Sequence, residues 1–165
     1  MRDWIRFSAS LLIPLGVLVG AHAEDHTTVL SSVPMTRDLA AEAVLAAKEH
    51  VPLLLVFTQD YCDYCDQLDR EVLNPYYSTG AFNGKAIVRR FMIDSYATVT
   101  DFDGKRLEAS TLMSKFKVYA TPALLFVDAH GHELVQRIVG INSVDFFAAY
   151  LEESIAAARV KLPEN

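Results

Sequence analysis

Tryptophan, cysteine and positive charge are all scarce in this chain, and each scarcity excludes something. Two cysteines in 165 residues are too few for a small domain stapled by disulfides, and a chain of this length buries enough surface to do without staples. Lys and Arg number 15 against 21 Asp and Glu, a formal net charge of −6. No basic run resembles the footprint of a nucleic-acid binder. Charged residues make up only 22% of the chain and hydrophobic ones 52%, which excludes intrinsic disorder. The length is that of one domain. Near the start, an apolar run from Leu11 to Val19 falls well short of the ~20 residues needed to span a bilayer, and Pro14 and Gly16 interrupt it.

The surroundings of that run read as a cleaved secretory leader over residues 1–23. Arg2 and Arg6 precede it, and Ala21-His22-Ala23 supplies small residues ahead of a cleavage site. The leader has no cysteine for a lipoprotein anchor; an uncleaved anchor is the competing reading, opposed by the shortness of the run. Cleavage after Ala23 leaves 142 residues with a net charge of −7, no tryptophan, because Trp4 is lost, and both cysteines. The expected location is outside the cytoplasm, where disulfides persist, with no stable membrane insertion.

Residues 24–35 are polar and irregular and read as a flexible N-terminal segment, either a tail or a short edge strand. A single domain over 36–165 follows. Thr36 is the expected N-cap of a helix over 37–50, ended by Val51-Pro52. Leu53-Leu54-Leu55-Val56-Phe57 has the unbroken apolar pattern of a strand buried on both faces. A helix from Cys62 to about Leu73 comes next, with Cys65, Leu68 and Val72 on one side and Asn74-Pro75 as the stop. Residues 87–93 form a second strand, and 95–107 a polar loop with a turn at Asp103-Gly104. A short helix covers 108–117. Ala123-Leu124-Leu125-Phe126-Val127 is a third strand, turned by Ala129-His130-Gly131-His132 into a returning strand over 133–139. Gly140 breaks it, and Ser143 caps a last helix with Phe147, Tyr150, Leu151 and Ile155 on one face. The order predicts an α/β fold: a central mixed sheet, parallel βαβ plus antiparallel β-hairpin, with helices on both faces.

The chemistry concentrates at Cys62-Asp63-Tyr64-Cys65. Two cysteines three apart at the first turn of a helix are within disulfide reach. The helix N-terminus supplies unpaired N–H groups and a positive end that favour a thiolate. Cys62, at the tip, is the expected nucleophile, and Cys65, facing inward, the resolving thiol. A purely structural staple competes, but it closes a loop of four residues and contributes roughly 2 kcal/mol before strain. A zinc site needs two more ligands. His130 and His132 stand at the far end of the strand that begins at Pro122, roughly 20 Å from its start. Haem attachment needs His after the second cysteine, and position 66 is Asp. No metal and no cofactor are expected.

The stretch Val56-Phe57-Thr58-Gln59-Asp60-Tyr61-Cys62-Asp63-Tyr64-Cys65, then Ala120-Thr121-Pro122-Ala123-Leu124-Leu125-Phe126, then Gly131 and Val139-Gly140, resembles the thioredoxin superfamily over about residues 37–157. Among its branches the chain looks most like periplasmic thioredoxin-related proteins, including those of sulfur-oxidation operons. Tyr64 before the second cysteine, with Thr121 before the proline, is similar to the catalytic domain of periplasmic disulfide isomerases. The resemblance implies a cis Thr121–Pro122 bond facing the disulfide, with the backbone of Thr121 free to pair with an incoming peptide; a trans proline at the strand start is the alternative. It places Val139 and Gly140 on the border of the same groove. Tyr61 matches an aromatic that precedes the first cysteine in relatives, and a packing role suits it equally well.

Two departures matter. The position six before the first cysteine, a buried Asp that assists the resolving thiol in thioredoxins, is Val56 here, leaving Asp60, Asp63 or water as substitutes. Asp60, Asp63 and Asp66 would also repel a thiolate at Cys62, so a moderately lowered pKa and a mild potential are expected; solvated surface charge is the other reading of these acids. The resemblance thus implies a periplasmic thiol–disulfide oxidoreductase, most plausibly a reductase or isomerase, acting on protein or small thiol substrates and served by a membrane electron donor. The absence of a dimerisation region weighs against the isomerase and for a monomer. The alternatives are a dithiol oxidase and a non-catalytic binding or chaperone module of the same fold.

Overall fold

A computed structural model describes residues 32–94 and 96–163; the leader expected over 1–23 and residues 24–31 lie outside the described residues. The elements run α1 (Leu39–Glu49), β1 (Leu53–Thr58), α2 (Asp63–Leu68), a π-helical turn (Asp69–Leu73), α3 (Asn74–Ser78), β2 (Ile87–Met92), β3 (Thr98–Thr100), β4 (Arg106–Glu108), α4 (Ala109–Lys115), β5 (Ala123–Val127), β6 (Ile138–Val139) and α5 (Val144–Val160).

The main sheet has the order β2-β1-β5-β6. All six residues of β1 are buried, because the strand is central and covered on both faces. It pairs parallel with β2, Leu53 opposite Ile87, and antiparallel with β5, Leu53 opposite Val127. Alternation along the strands divides the core in two. Leu54, Val56, Leu124 and Phe126 face Leu68, Val72, Phe147 and Leu151 of the helical run after Cys62 and of α5. Leu53, Leu55, Phe57 and Leu125 face Leu39, Ala46, Leu112 and Phe116 on the α1 and α4 side. This is the expected mixed α/β architecture.

Several local expectations change. Asp38, not Thr36, caps α1: its carboxylate accepts the Ala41 N–H at 2.9 Å, while Thr36 Oγ1 accepts the N–H of Asp38. Of the two readings of the N-terminal segment, residues 32–36 follow the edge-strand one, running along the outer edge of β2. Arg90 N–H donates to the Pro34 carbonyl at 2.8 Å, Thr36 N–H donates to that of Arg90 at 2.9 Å, and Val33 is fully buried. The packed unit therefore reaches back beyond position 36.

Pro75 does not end the second helix, which continues to Ser78. The chain widens first: the Asn74 N–H bonds to the Asp69 carbonyl, five residues back. That π turn makes room for a proline ring that would strike the carbonyl four residues earlier in a regular α-helix. Asn74 becomes a brace, its side-chain oxygen accepting the Val33 N–H at 3.1 Å.

The polar segment 95–107 contains a hairpin, with Val99 opposite Leu107. Asp101 is buried at its turn and ion-paired to Lys115 of α4. The returning strand expected over 133–139 is mostly absent. Glu133 bridges Val127 and only Ile138–Val139 pairs with β5. Between them Arg137 turns away to donate to the carbonyls of Phe116 and Lys117. On α5, Phe147, Leu151 and Ile155 are buried, but Tyr150 is half exposed. Among the described residues no helix is long and apolar enough to cross a membrane.

Candidate active site

β1 delivers the chain to the site and the loop after it makes one sharp adjustment: Tyr61 takes a left-handed backbone (φ 55°), which turns the chain into the start of α2. Cys62 is the N-cap of that helix. Its carbonyl accepts from the N–H groups of Cys65 (2.9 Å) and Asp66 (3.0 Å), and its Sγ accepts the Cys65 N–H at 3.2 Å. The sulfur thus occupies the place of a capping oxygen and sits at the positive end of the helix. Cys62 and Cys65 are joined in a disulfide.

Across from it, Thr121 Oγ1 lies 3.6 Å from Cys62 Sγ, and the Thr121–Pro122 peptide is cis. The Pro122 carbonyl accepts the Gly140 N–H at 2.8 Å, and Val139 pairs with Ala123. Gly140 holds φ 73°, a left-handed conformation glycine adopts at no steric cost. The fold therefore brings Cys62, Thr121, Pro122, Val139 and Gly140 to one edge. Beside that edge a cavity of about 300 Å³ opens between β6 and α5, lined by Ile138, Gly140, Phe146 and Tyr150 among others.

Cys62 is less open than a helix tip implies: 9% of its surface is accessible, against 4% for Cys65. Tyr61 is fully exposed, so its ring packs against nothing among the described residues. Tyr64 and Tyr119 are exposed too; Tyr119, two residues before Thr121, carried no signal in the sequence. Asp60, Asp63 and Asp66 are all exposed. The Asp60 N–H is bound by the Asp94 carboxylate at 2.8 Å, a loop contact made possible by the parallel run of β2 beside β1.

Val56, at 2% exposure, is an apolar floor beneath the site, in register with Arg90 of β2. One acid went unnoticed in the sequence. Asp69, in the π turn after α2, forms an ion pair with Arg90. Burial pushes the Asp69 carboxyl above its ordinary range; Arg90 opposes this and the nearby Asp66 charge adds to it.

A family model for the thioredoxin-like domain matches residues 39–155. The thiol:disulfide interchange protein DsbD of Ralstonia nicotianae is 23% identical over 142 residues, an alignment covering 86% of this chain and 22% of that protein. The DsbD of Pectobacterium atrosepticum is 24% identical, covering 92% of this chain and 26% of its own length. The chain thus spans about a quarter of the length of these curated relatives. Among solved structures, the oxidised C-terminal domain of Neisseria meningitidis DsbD superposes with a TM-score of 0.53 at 16% identity, over 73% of this chain and 98% of that one. A poplar thioredoxin h gives 0.52 at 18% identity, over 73% and 95%. At such identities these structures speak for the fold.

Proposed function

The chain belongs to the thioredoxin-like family, and from that premise we propose that it is a periplasmic thiol–disulfide oxidoreductase working through Cys62 and Cys65. The observation that carries this reading is the disulfide at the N-terminus of a helix, its Cys62 sulfur capping that helix and 3.6 Å from the Thr121 hydroxyl. In the reduced form the capping N–H and the helix end stabilise a Cys62 thiolate. The thiolate attacks a substrate disulfide, one substrate sulfur leaves as a thiol, and Cys62 is held in a mixed disulfide. Cys65 then attacks Cys62 Sγ, the second substrate thiol departs, and the pair has given two electrons to the substrate.

An extended substrate segment would lie along Thr121-Pro122 and Val139-Gly140, where the backbone of Thr121 is the natural pairing partner, with Tyr61 as an exposed flank. The direction we favour is reduction or isomerisation, with protein or small thiol substrates. Two observations support it: acids around Cys62 oppose a strongly stabilised thiolate, and the curated relatives are named for thiol:disulfide interchange. Recharging by a membrane electron donor and export by the leader over residues 1–23 belong to the same proposal, as does a monomeric state.

Turbidimetric reduction of insulin by dithiothreitol tests it. The wild type accelerates precipitation, and Cys62→Ser falls to the uncatalysed rate. Equal turbidity in both would instead support a non-catalytic binding module. A reduction potential measured against glutathione separates a reductase from an oxidase.

A further inference from the structure

One side of α5 carries more apolar surface than its packing uses. The helix buries Phe147, Leu151, Ile155 and Ala158, the single stripe a surface helix needs. Phe146 and Tyr150 form a second pair four residues apart, yet they are 75% and 49% exposed, and Val139 at the sheet edge is 49% exposed. The cavity of about 300 Å³ beside them is lined by Ile138, Phe146, Phe147 and Tyr150, and by no charged side chain among the described residues. An apolar cavity of ~150 Å³ already holds a benzene ring. An aromatic or branched aliphatic side chain therefore fits this one, whereas a charged side chain would give up its water for nothing.

The cavity is continuous with the groove beside the disulfide. Gly140 lines it and donates its N–H to the Pro122 carbonyl, and the residue before Pro122 holds its hydroxyl 3.6 Å from Cys62 Sγ. The sheet order β2-β1-β5-β6 sets what lies on either side of the sulfurs. Toward β6 come Pro122, Gly140 and the cavity. Toward β2 come Asp60 after β1 and Asp94 after β2, both exposed and joined where the Asp60 N–H meets the Asp94 carboxylate. Tyr61 and Tyr96, within two residues of these acids, are fully exposed, and the face of such a ring attracts a cation. Adjacent strands lie ~4.8 Å apart, so the span from β2 to β6 is roughly 14 Å, about four residues of extended chain.

We propose that the substrate segment crosses this edge with unlike flanks, an inference that rests on the oxidoreductase reading above. On one side of its cysteine a bulky apolar residue seats in the cavity between β6 and α5. On the other side a lysine or arginine lies over Asp60 and Asp94. Because the two flanks differ in chemistry, a segment bound the other way round loses both contacts, which fixes its direction as well as its composition.

The probe is a short alanine-rich peptide whose one cysteine is held as a mixed disulfide with thionitrobenzoate. The Cys62 thiolate of the reduced protein attacks the peptide sulfur, and thionitrobenzoate departs as a thiolate with the electron pair of the broken S–S bond. Cys65 then closes the Cys62–Cys65 bond and releases the peptide thiol. Phenylalanine is placed at each position within four of the cysteine. At the best position on one side it raises the second-order rate of thionitrobenzoate release about 10-fold over alanine. Lysine on the other side raises it about 2- to 5-fold, a gain lost at 1 M salt, where charges are screened beyond ~3 Å. Phe146→Ser/Tyr150→Ser brings the phenylalanine-to-alanine ratio close to one, and Phe146→Leu keeps most of it. Val160→Ser, at the exposed far end of α5, retains the wild-type ratio. Asp60→Asn/Asp94→Asn abolishes the lysine gain alone. A wild type indifferent to phenylalanine, or a double serine variant that still prefers it, overturns the apolar subsite. A lysine gain that is absent or insensitive to salt overturns the basic flank. Equal peptide rates together with a dimer in sedimentation that Phe146→Ser dissociates would assign the cavity to a second copy of the chain instead. No release from any peptide overturns the oxidoreductase reading itself.

Discussion

Asp63 occupies the first turn of α2, next to the residue that caps it. A carboxylate there suits the helix end but opposes a second negative charge on Cys62. Replacing it by asparagine removes the repulsion and keeps the size. Asp63→Asn therefore alkylates faster than the wild type at pH 6, read by iodoacetamide trapping of the reduced protein; a slower reaction would contradict the charge argument. At this scale Cys62, Cys65, Thr121, Pro122, Val139 and Gly140 were legible because short motifs bear them. Asp69 was not. Along the chain it is one more acid in a stretch with Asp63, Asp66 and Glu71. Only β2 and the segment around Val33, distant in sequence, make it half-buried and paired.

Among the elements, the β5 turn shows how one side chain organises a loop. The Asp128 carboxylate accepts from the backbone N–H groups of His130 (2.8 Å) and His132 (2.9 Å) and faces the His132 ring nitrogen at 3.1 Å. Burial acts to raise its pKa, but these donors outweigh it and the group titrates below the ordinary carboxylate range. A depressed folded-state pKa contributes stability above the unfolded value, near 3.9, and that contribution is lost as pH falls through the folded one. Asp128→Ala is expected to cost about 1–3 kcal/mol at neutral pH, measured by urea unfolding. The gap between variant and wild type narrows below about pH 4. Elements with long apolar runs, β1 and β5, were legible because burial on both faces leaves an unambiguous pattern. The hairpin β3–β4 was not, since strands of three residues are too short to display alternation. Nor was the π turn, whose effect is to let a helix pass through a residue that ordinarily ends one.

For the molecule as a whole, two apolar clusters clasp the sheet, and neither needs the disulfide to form. Closing so short a loop contributes about 2 kcal/mol in the chain-entropy account. The reduced protein is therefore expected to stay folded, its urea midpoint shifting by no more than that amount implies. Circular dichroism with and without dithiothreitol checks this. Loss of structure on reduction would mean that the bond is a staple, and a protein that unfolds whenever it gives up electrons cannot carry them.

The amino-acid order alone determined the α/β layering, because hydrophobic periodicity is a property of neighbours along the chain. It also determined the cysteine pair at a helix start, because that motif spans four residues. Tertiary structure decided the rest: that the first residues described become an edge of the sheet, that the return from β5 pairs only at its ends, and that Asp69 meets Arg90 beside the resolving cysteine. Each of those depends on the burial of groups far apart in sequence, and burial is set by the whole packed assembly.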